Sequence, residues 1–307
     1  MLYNSIITEQ SQAQLDKYIA KLQDRMRIKE TLIPYITKIY KNQYDDNFLI
    51  RTRNQNLIEA FTQCGKELFW NGDRIIGAAF CRQRICPVCN LRRSNITYHK
   101  IAQIVEAIPD KDYVLITLTV KNCAPAWLSK TIDNLLQSFH RLVNRKSWHN
   151  AFDGYFRTLE ITYNAKDDSF HPHLHILAKC SADYFDSCYI DNADLRRMWT
   201  ESANLPYYVQ TDIRKIEDNT KGIAEVAKYA VKMSSIISNK VDSQRLRATQ
   251  ILLSTLKNRR LIATGGIISK TAKQLKIDFE DQESTAEITA KTVLYTYQNG
   301  KYIKSNL

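Results

Sequence analysis

Between about Ser11 and Tyr44, the apolar residues Leu15, Ile19, Leu22 and Met26 recur every three or four positions among lysines and other charged residues. That period predicts one or two amphipathic helices. Residues 61–98 change character, with cysteines, Gly65, Gly72, Gly77 and Pro87 followed by the helix-compatible "LRRSNITYHKIAQIVEAI"; this predicts a compact knuckle leading into a basic helix. "DYVLITLTV", Asp112 to Val120, is β-branched and apolar on both faces, so it predicts a central strand. From about Ser129 to Arg145, Ile132, Leu135, Leu136, Phe139 and Leu142 form one helical stripe. "YFRTLEITYN" (155–164) and "FHPHLHILAK" (170–179) are strand-like runs separated by the polar "AKDDS", the signature of a β-hairpin. "TKGIAEVAKYAVKMSS" predicts a second amphipathic helix, and the segment from about Ser243 reads as helical and then increasingly polar. The chain shows no internal repeat and no low-complexity linker. In order, the pattern divides it into an N-terminal helical region (1–60), a Cys-rich knuckle and basic helix (61–108), a central domain (109–240) and a C-terminal helical region (241–307).

Composition narrows the class. A chain of 307 residues can bury a substantial core. Lys and Arg outnumber Asp and Glu by 44 to 32, a formal charge of +12 that favours polyanionic partners, nucleic acid first among them. The opening "MLYNSIITEQSQAQLDKY" lacks the basic and apolar regions of a signal peptide, and no stretch approaches the roughly 18 uninterrupted apolar residues of a membrane span. A cytoplasmic protein with no membrane partner is the expectation. In that reducing compartment seven cysteines do not suggest a disulfide framework, and four of them lie between Cys64 and Cys89, which suggests metal.

Three groups of residues carry candidate chemistry. On a strand, His171, His173 and His175 share one face, while Pro172, Leu174 and Ile176 take the other. Histidines two apart have Cα atoms about 6–7 Å apart and can converge on one divalent ion. If the hairpin turns at "AKDDS", Glu160 lies nearly opposite His173 and completes a ligand set suited to Mg²⁺ or Mn²⁺; the bland alternative is a wet strand face. In "EVAKYAVK", Glu225, Lys228, Tyr229 and Lys232 fall on one side of a helix and Ile223, Val226, Ala227, Ala230 and Met233 on the other. Two ammonium groups beside a phenol favour its phenolate and would neutralise an approaching phosphodiester, and the carboxylate one turn earlier could act as a base; an ordinary charged helix face is the alternative. Cys81, Cys86 and Cys89 form C-x4-C-x2-C, with Cys64 or His99 as the fourth ligand of a structural Zn²⁺. Cys123, Cys180 and Cys188 are dispersed and read as packing residues. Arg82, Arg84, Arg92 and Arg93 crowd the knuckle as DNA contacts or as plain basic surface, and Tyr207, Tyr208 and "RRLIATGG" are further DNA-contact candidates.

Taken in order, "LITLTV", "HPHLHILA" and "EVAKYAVK" resemble the three motifs of the HUH endonucleases, specifically the replication initiators of small bacterial rolling-circle plasmids. "CRQRICPVCNLRRS" and "LKNRRLIATGG" extend the resemblance over roughly Cys64 to Gly266. It implies an α+β fold with a central antiparallel sheet of split βαβ, ferredoxin-like type flanked by helices. It also implies a site-specific DNA nickase in which His173 and His175 hold a divalent ion, with Glu160 as third ligand and Tyr229 as nucleophile. His171, beside the pair, would support a ligand or touch substrate. Glu225 would activate water for a terminating hydrolysis, because the motif has a single tyrosine. Plasmid origin DNA, single-stranded or extruded at the nick site, is the implied partner, together with a host helicase. A relaxase or single-strand transposase shares the chemistry but not the cysteine cluster. From another class, the rival is a non-catalytic, zinc-containing DNA-binding regulator.

Overall fold

The computed structural model describes residues 12–42, 48–70, 75–110, 112–227, 233–236, 241–279 and 292–306. The chain runs through α1 (Gln12–Asn42), α2 (Phe48–Gln63), β1 (Glu67–Trp70), β2 (Ile75–Ala78) and α3 (Pro87–Ala107). There follow β3 (Tyr113–Thr119), α4 (Leu128–Val143), α5 (Lys146–Ala151), β4 (Phe152–Asn164), β5 (Ser169–Cys180) and α6 (Asn192–Ser202). The remainder holds β6 (Thr211–Lys215), α7 (Asn219–Val226), α8 (Ser243–Leu256), β7 (Ile262–Gly265), α9 (Gly266–Gln274), β8 (Val293–Gln298) and β9 (Lys301–Asn306). These elements sort into two compact units. One gathers Met1–Arg93, Ile236–Leu253 and Asp281–Leu307, and the other Ser94–Ser235 and Ser254–Glu280.

In the first unit the helical period of the N-terminal stretch gives one long helix, α1, whose Leu22, Met26, Leu32, Tyr35, Ile36 and Ile39 are buried. A four-stranded antiparallel sheet in the order β2-β1-β8-β9 completes the unit. Its strands correct two expectations, since the knuckle region holds a strand pair and the C-terminal region, expected to be helical, ends in a hairpin. The physical cause is local. Val293–Gln298 is β-branched and aromatic, and Asn299 and Gly300 take φ of 49° and 80°, the left-handed pair of a two-residue hairpin turn. Tyr302 then donates its hydroxyl to the Gly65 carbonyl at 2.6 Å, which ties the hairpin to the turn that follows α2.

The second unit is built on a five-stranded antiparallel sheet in the order β6-β3-β5-β4-β7. β3 is an interior strand between β6 and β5, buried on both faces from Tyr113 to Ile116 as its apolar run predicts, with Thr117 and Thr119 half-buried. The β4–β5 hairpin turns at residues 165–168, with Asp168 at φ 49°. The period of two then separates the faces. On one, Leu115, Phe156 and Leu177 form a core with Ile101, Ile104 and Val105 of α3, Ile223 and Val226 of α7, and Ile268 of α9. On the other, Tyr155 meets Phe139 of α4 edge to face at 5.1 Å, and the stripe Ile132, Leu135, Phe139 and Leu142 is buried. Each such side chain is worth about 1.5–3 kcal/mol of burial, so an amphipathic helix of moderate propensity is held in place mainly by its stripe.

Candidate functional site

The metal-competent residues of the second unit lie on the α7 face of its sheet, beyond the apolar core. In β4–β5 register Glu160 pairs with His173 and Thr158 with His175, while on the other side of β5 Thr119 pairs with His173 and Thr117 with His175. Glu160 Oε2 lies 2.9 Å from His175 Nε2 and 3.3 Å from His173 Nε2. Cis ligands of an octahedral ion at 2.0–2.1 Å are about 3 Å apart, so the three groups fit a divalent ion with positions left open. All three ligand atoms lie within 4.8 Å of one another. Each imidazole is oriented through its other nitrogen. His173 Nδ1 donates to the His171 carbonyl at 3.2 Å, and His175 Nδ1 is 3.3 Å from the Thr117 hydroxyl. Burial pushes the Glu160 carboxyl up, but hydrogen bonds from His173 and His175 and their charge outweigh it and hold the group well below the usual carboxylate range. The ligand is therefore anionic at neutral pH.

His171 sits one pair further along the same face, its Nδ1 2.8 Å from Asn122 Oδ1, and Asn122 in turn donates to Ser169 Oγ at 3.0 Å. Thr117 and Asn122 were not singled out from the sequence. The signal for Thr117 was present, because the two threonines of "LITLTV" alternate onto the face that the histidines use.

Asp218 caps α7 by accepting from the Thr220 amide at 2.9 Å. The expected apolar side of the helix is realised where it is described, with Ile223, Val226 and Ala227 buried against Leu115, Phe156 and Leu177. Glu225 is half-buried. Tyr229, Lys228 and Lys232 lie outside the described residues.

In the first unit Cys64, Cys81, Cys86 and Cys89 converge, so the fourth position offered to Cys64 or His99 is filled by Cys64. Sγ–Sγ distances are 3.5 Å for Cys64–Cys89, 3.6 Å for Cys64–Cys86 and 3.8 Å for Cys81–Cys89. Four sulfurs at about 2.3 Å from a tetrahedral Zn²⁺ are about 3.8 Å apart, which this cage matches. Cys64 follows α2 at a turn where Gly65 has φ 74° and a Cβ would come within 2.8 Å of Val88 Cγ1, so only glycine fits. Burial pushes the Cys86 thiol well up, a cost that a bound cation removes. Two buried cations support the cage. Lys29 of α1 donates to the carbonyls of Thr62 at 2.9 Å and Cys64 at 2.6 Å. The Arg93 guanidinium donates to the carbonyls of Arg82 at 2.5 Å and Gln83 at 3.3 Å. Hydrogen bonds from Cys64, Cys81 and Cys86 favour the Cys89 thiolate, and the Arg93 charge adds to them.

That placement corrects the expectation for Arg93 as a DNA contact, because the arginine is spent inside the knuckle. Arg82 is exposed, Arg84 is half-buried, and Arg92 lies 4.9 Å over the Phe80 ring. Among the dispersed cysteines Cys180 is fully buried, while Cys123 and Cys188 are half-buried.

The sequence profile of the family described as Replication protein matches residues 72–302. The chain belongs to this family. It is 33% identical over 239 residues to a "Protein rep" of Streptococcus pneumoniae, covering 73% of each chain. It is 30% identical over 249 residues to a "Protein rep" of Bacillus amyloliquefaciens, covering 71% of this chain and 73% of the relative. A "Protein rep" of Staphylococcus aureus is 29% identical over 221 residues, 68% of this chain and 96% of the relative. No solved structure matches. Membership agrees with the resemblance to replication initiators read from the three motifs. The match spans the Glu160, His173 and His175 triad and three of the four cage cysteines, and begins after Cys64. Among the described residues no helix is long and apolar enough to cross a membrane.

Proposed function

We propose that this chain is the site-specific nickase that initiates rolling-circle replication of a plasmid. The observation that carries the reading is the convergence of Glu160, His173 and His175 on the sheet face against which α7, the helix leading to Tyr229, packs its apolar side. A divalent ion held there, Mn²⁺ or Mg²⁺, supplies Lewis acidity at a phosphate oxygen and a template for the scissile group. Glu160 and the two imidazoles fix its place, and Thr117 and the His171 carbonyl fix the imidazoles. The Tyr229 phenolate, favoured by Lys228 and Lys232, attacks phosphorus. A phosphotyrosyl bond to the 5′ side forms as the bond to the 3′ oxygen breaks, and that oxygen takes a proton to become the priming 3′-hydroxyl. Glu225 takes the proton of a water in the terminating hydrolysis, since one tyrosine serves one transfer.

The four cysteines hold Zn²⁺ as a structural centre. The substrate is plasmid origin DNA, unpaired or extruded at the nick site beside a duplex, and a host helicase extends the opened strand. The site of action is the cytoplasm, where the thiols stay reduced.

The test is incubation of the purified chain with Mn²⁺ and labelled strands and supercoiled DNA of its own plasmid origin, followed by a denaturing gel. A protein–DNA adduct that vanishes in Tyr229→Phe and with EDTA is the expected result. Tight origin binding without adduct or nick on any of these DNAs would favour a non-catalytic zinc-containing regulator.

A further inference from the structure

At the edge of the second unit's sheet, next to the triad, an exposed aromatic surface has no part in the chemistry above. Tyr208 is 75% exposed and Tyr207 half-buried, and the Lys121 ammonium sits 4.0 Å from the centre of the Tyr207 ring. The segment that carries them is anchored at several points. The Thr119 hydroxyl donates to the Gln210 carbonyl at 2.7 Å, Thr211 donates to Asn192 Oδ1 at 3.0 Å, Val209 is buried, and Trp199 Nε1 donates to the Thr119 carbonyl at 2.8 Å. Thr119 is also the β3 partner of His173. Gln210 therefore stands about two strand spacings, roughly 10 Å, from His173, and Tyr208 and Tyr207 precede it by two and three residues, within the span of a few nucleotides.

We propose that Tyr207, Tyr208 and Lys121 form a platform for unpaired nucleotides flanking the scissile phosphate, with Tyr208 stacking a base and Lys121 holding the adjacent phosphate. Single-stranded nucleic-acid sites combine aromatic faces with a cationic track, and both occur here at one point. A tyrosine held outward on an anchored segment loses little freedom when a base stacks on it. The chain's charge of +12 favours a polyanion over an acidic-poor peptide, and the position beside the ligand cluster favours the DNA that must reach it. Bases stack with little regard to identity, so the platform would select unpaired over duplex DNA and leave sequence choice to other contacts.

The inference rests on the nickase reading for its substrate, and its test is separable. Binding of a fluorescein-labelled oligothymidylate to the full chain is measured by anisotropy, alongside a matched oligomer with abasic sites in place of its bases. Tyr208→Ala is expected to weaken oligothymidylate binding roughly ten- to a hundredfold, with Tyr208→Trp restoring it. The abasic oligomer should bind wild type and Tyr208→Ala alike, while Lys121→Met should weaken both oligomers to the same degree and lower the salt dependence. Unchanged oligothymidylate binding by Tyr208→Ala, or an equal loss on the abasic oligomer, overturns the platform, and capture of a protein through this surface with no effect on DNA does the same. If Tyr208→Ala loses base-dependent binding while the wild type forms no covalent adduct on origin DNA, the platform stands and the nickase reading fails. An adduct with unchanged Tyr208→Ala binding fails the platform alone.

Discussion

The two metal-competent groups differ in a way that assigns them different work. The cage closes four sulfurs around one point, three of its cysteines buried, with Lys29 and Arg93 buried beside it. The triad offers three ligand atoms, with side chains 11–16% exposed, on a strand face that is apolar core further along and polar here. A closed tetrahedron leaves an ion nothing to do but hold chain together, whereas three ligands leave positions for a substrate oxygen. The helices and strands around each also differ. The cage gathers α2, the loop after β2 and the start of α3, so its ion would substitute for a core. The triad sits on two adjacent strands of a sheet that is already packed on both faces.

The largest effect should come from breaking the cage. Cys86→Ser, or extraction by a strong chelator, is expected to abolish the cooperative melting of the first unit and release one Zn²⁺ per chain, measured by calorimetry and metal analysis. An unchanged melt would mean the cage is dispensable packing. By contrast, His173→Ala should reduce Mn²⁺-dependent nicking to background while shifting stability by no more than about 1–3 kcal/mol, read from nicking gels beside denaturant curves. Loss of fold in this variant would make the triad structural and erase the distinction.

Two smaller changes probe the supports. Lys29→Met leaves the carbonyls of Thr62 and Cys64 without their buried donor, so a loss of about 1–3 kcal/mol is expected, with weaker Zn²⁺ retention in a chelator competition and unchanged Mn²⁺ affinity. Burial lowers the Lys29 pKa by more than the charge of Cys64 and Cys86 raises it. A lysine lowered in this way holds its proton less tightly in the folded chain than in the unfolded one, so its contribution to the first unit's stability should rise as pH climbs from the lowered pKa toward the ordinary lysine value, read from a pH series of melts. Thr117→Val removes the hydroxyl beside His175 Nδ1 and should lower affinity at the triad about ten- to a hundredfold without moving the melt. An equal effect of Thr117→Val on Zn²⁺ retention would break the separation of the two centres.

Much of this was legible because the signals are local. The helical stripe of α4 and the doubly apolar β3 depend on residues a few positions apart, and the Glu160–His173 pairing depends only on where a short polar turn falls. The Asn299-Gly300 turn was equally local, yet the polar tail around it masked the alternation that makes β8 and β9 strands. Charge and residue type alone could not tell an arginine that meets solvent from one that meets carbonyls, so Arg93 read the same as Arg82 until burial separated them.

The sequence by itself determined the helices α1 and α4 and the strands β3, β4 and β5, which face of each is apolar, and which residue types are competent for metal and for attack on phosphorus. Only the tertiary structure decided the partners. β1 pairs with β8 across more than two hundred residues, Lys29 reaches the carbonyl of Cys64, Thr117 orients His175, and Lys121 meets Tyr207. The reason is that periodicity constrains neighbours on one element through backbone geometry. Contacts between distant elements arise only when buried apolar faces choose their mates, and no short-range pattern encodes that choice.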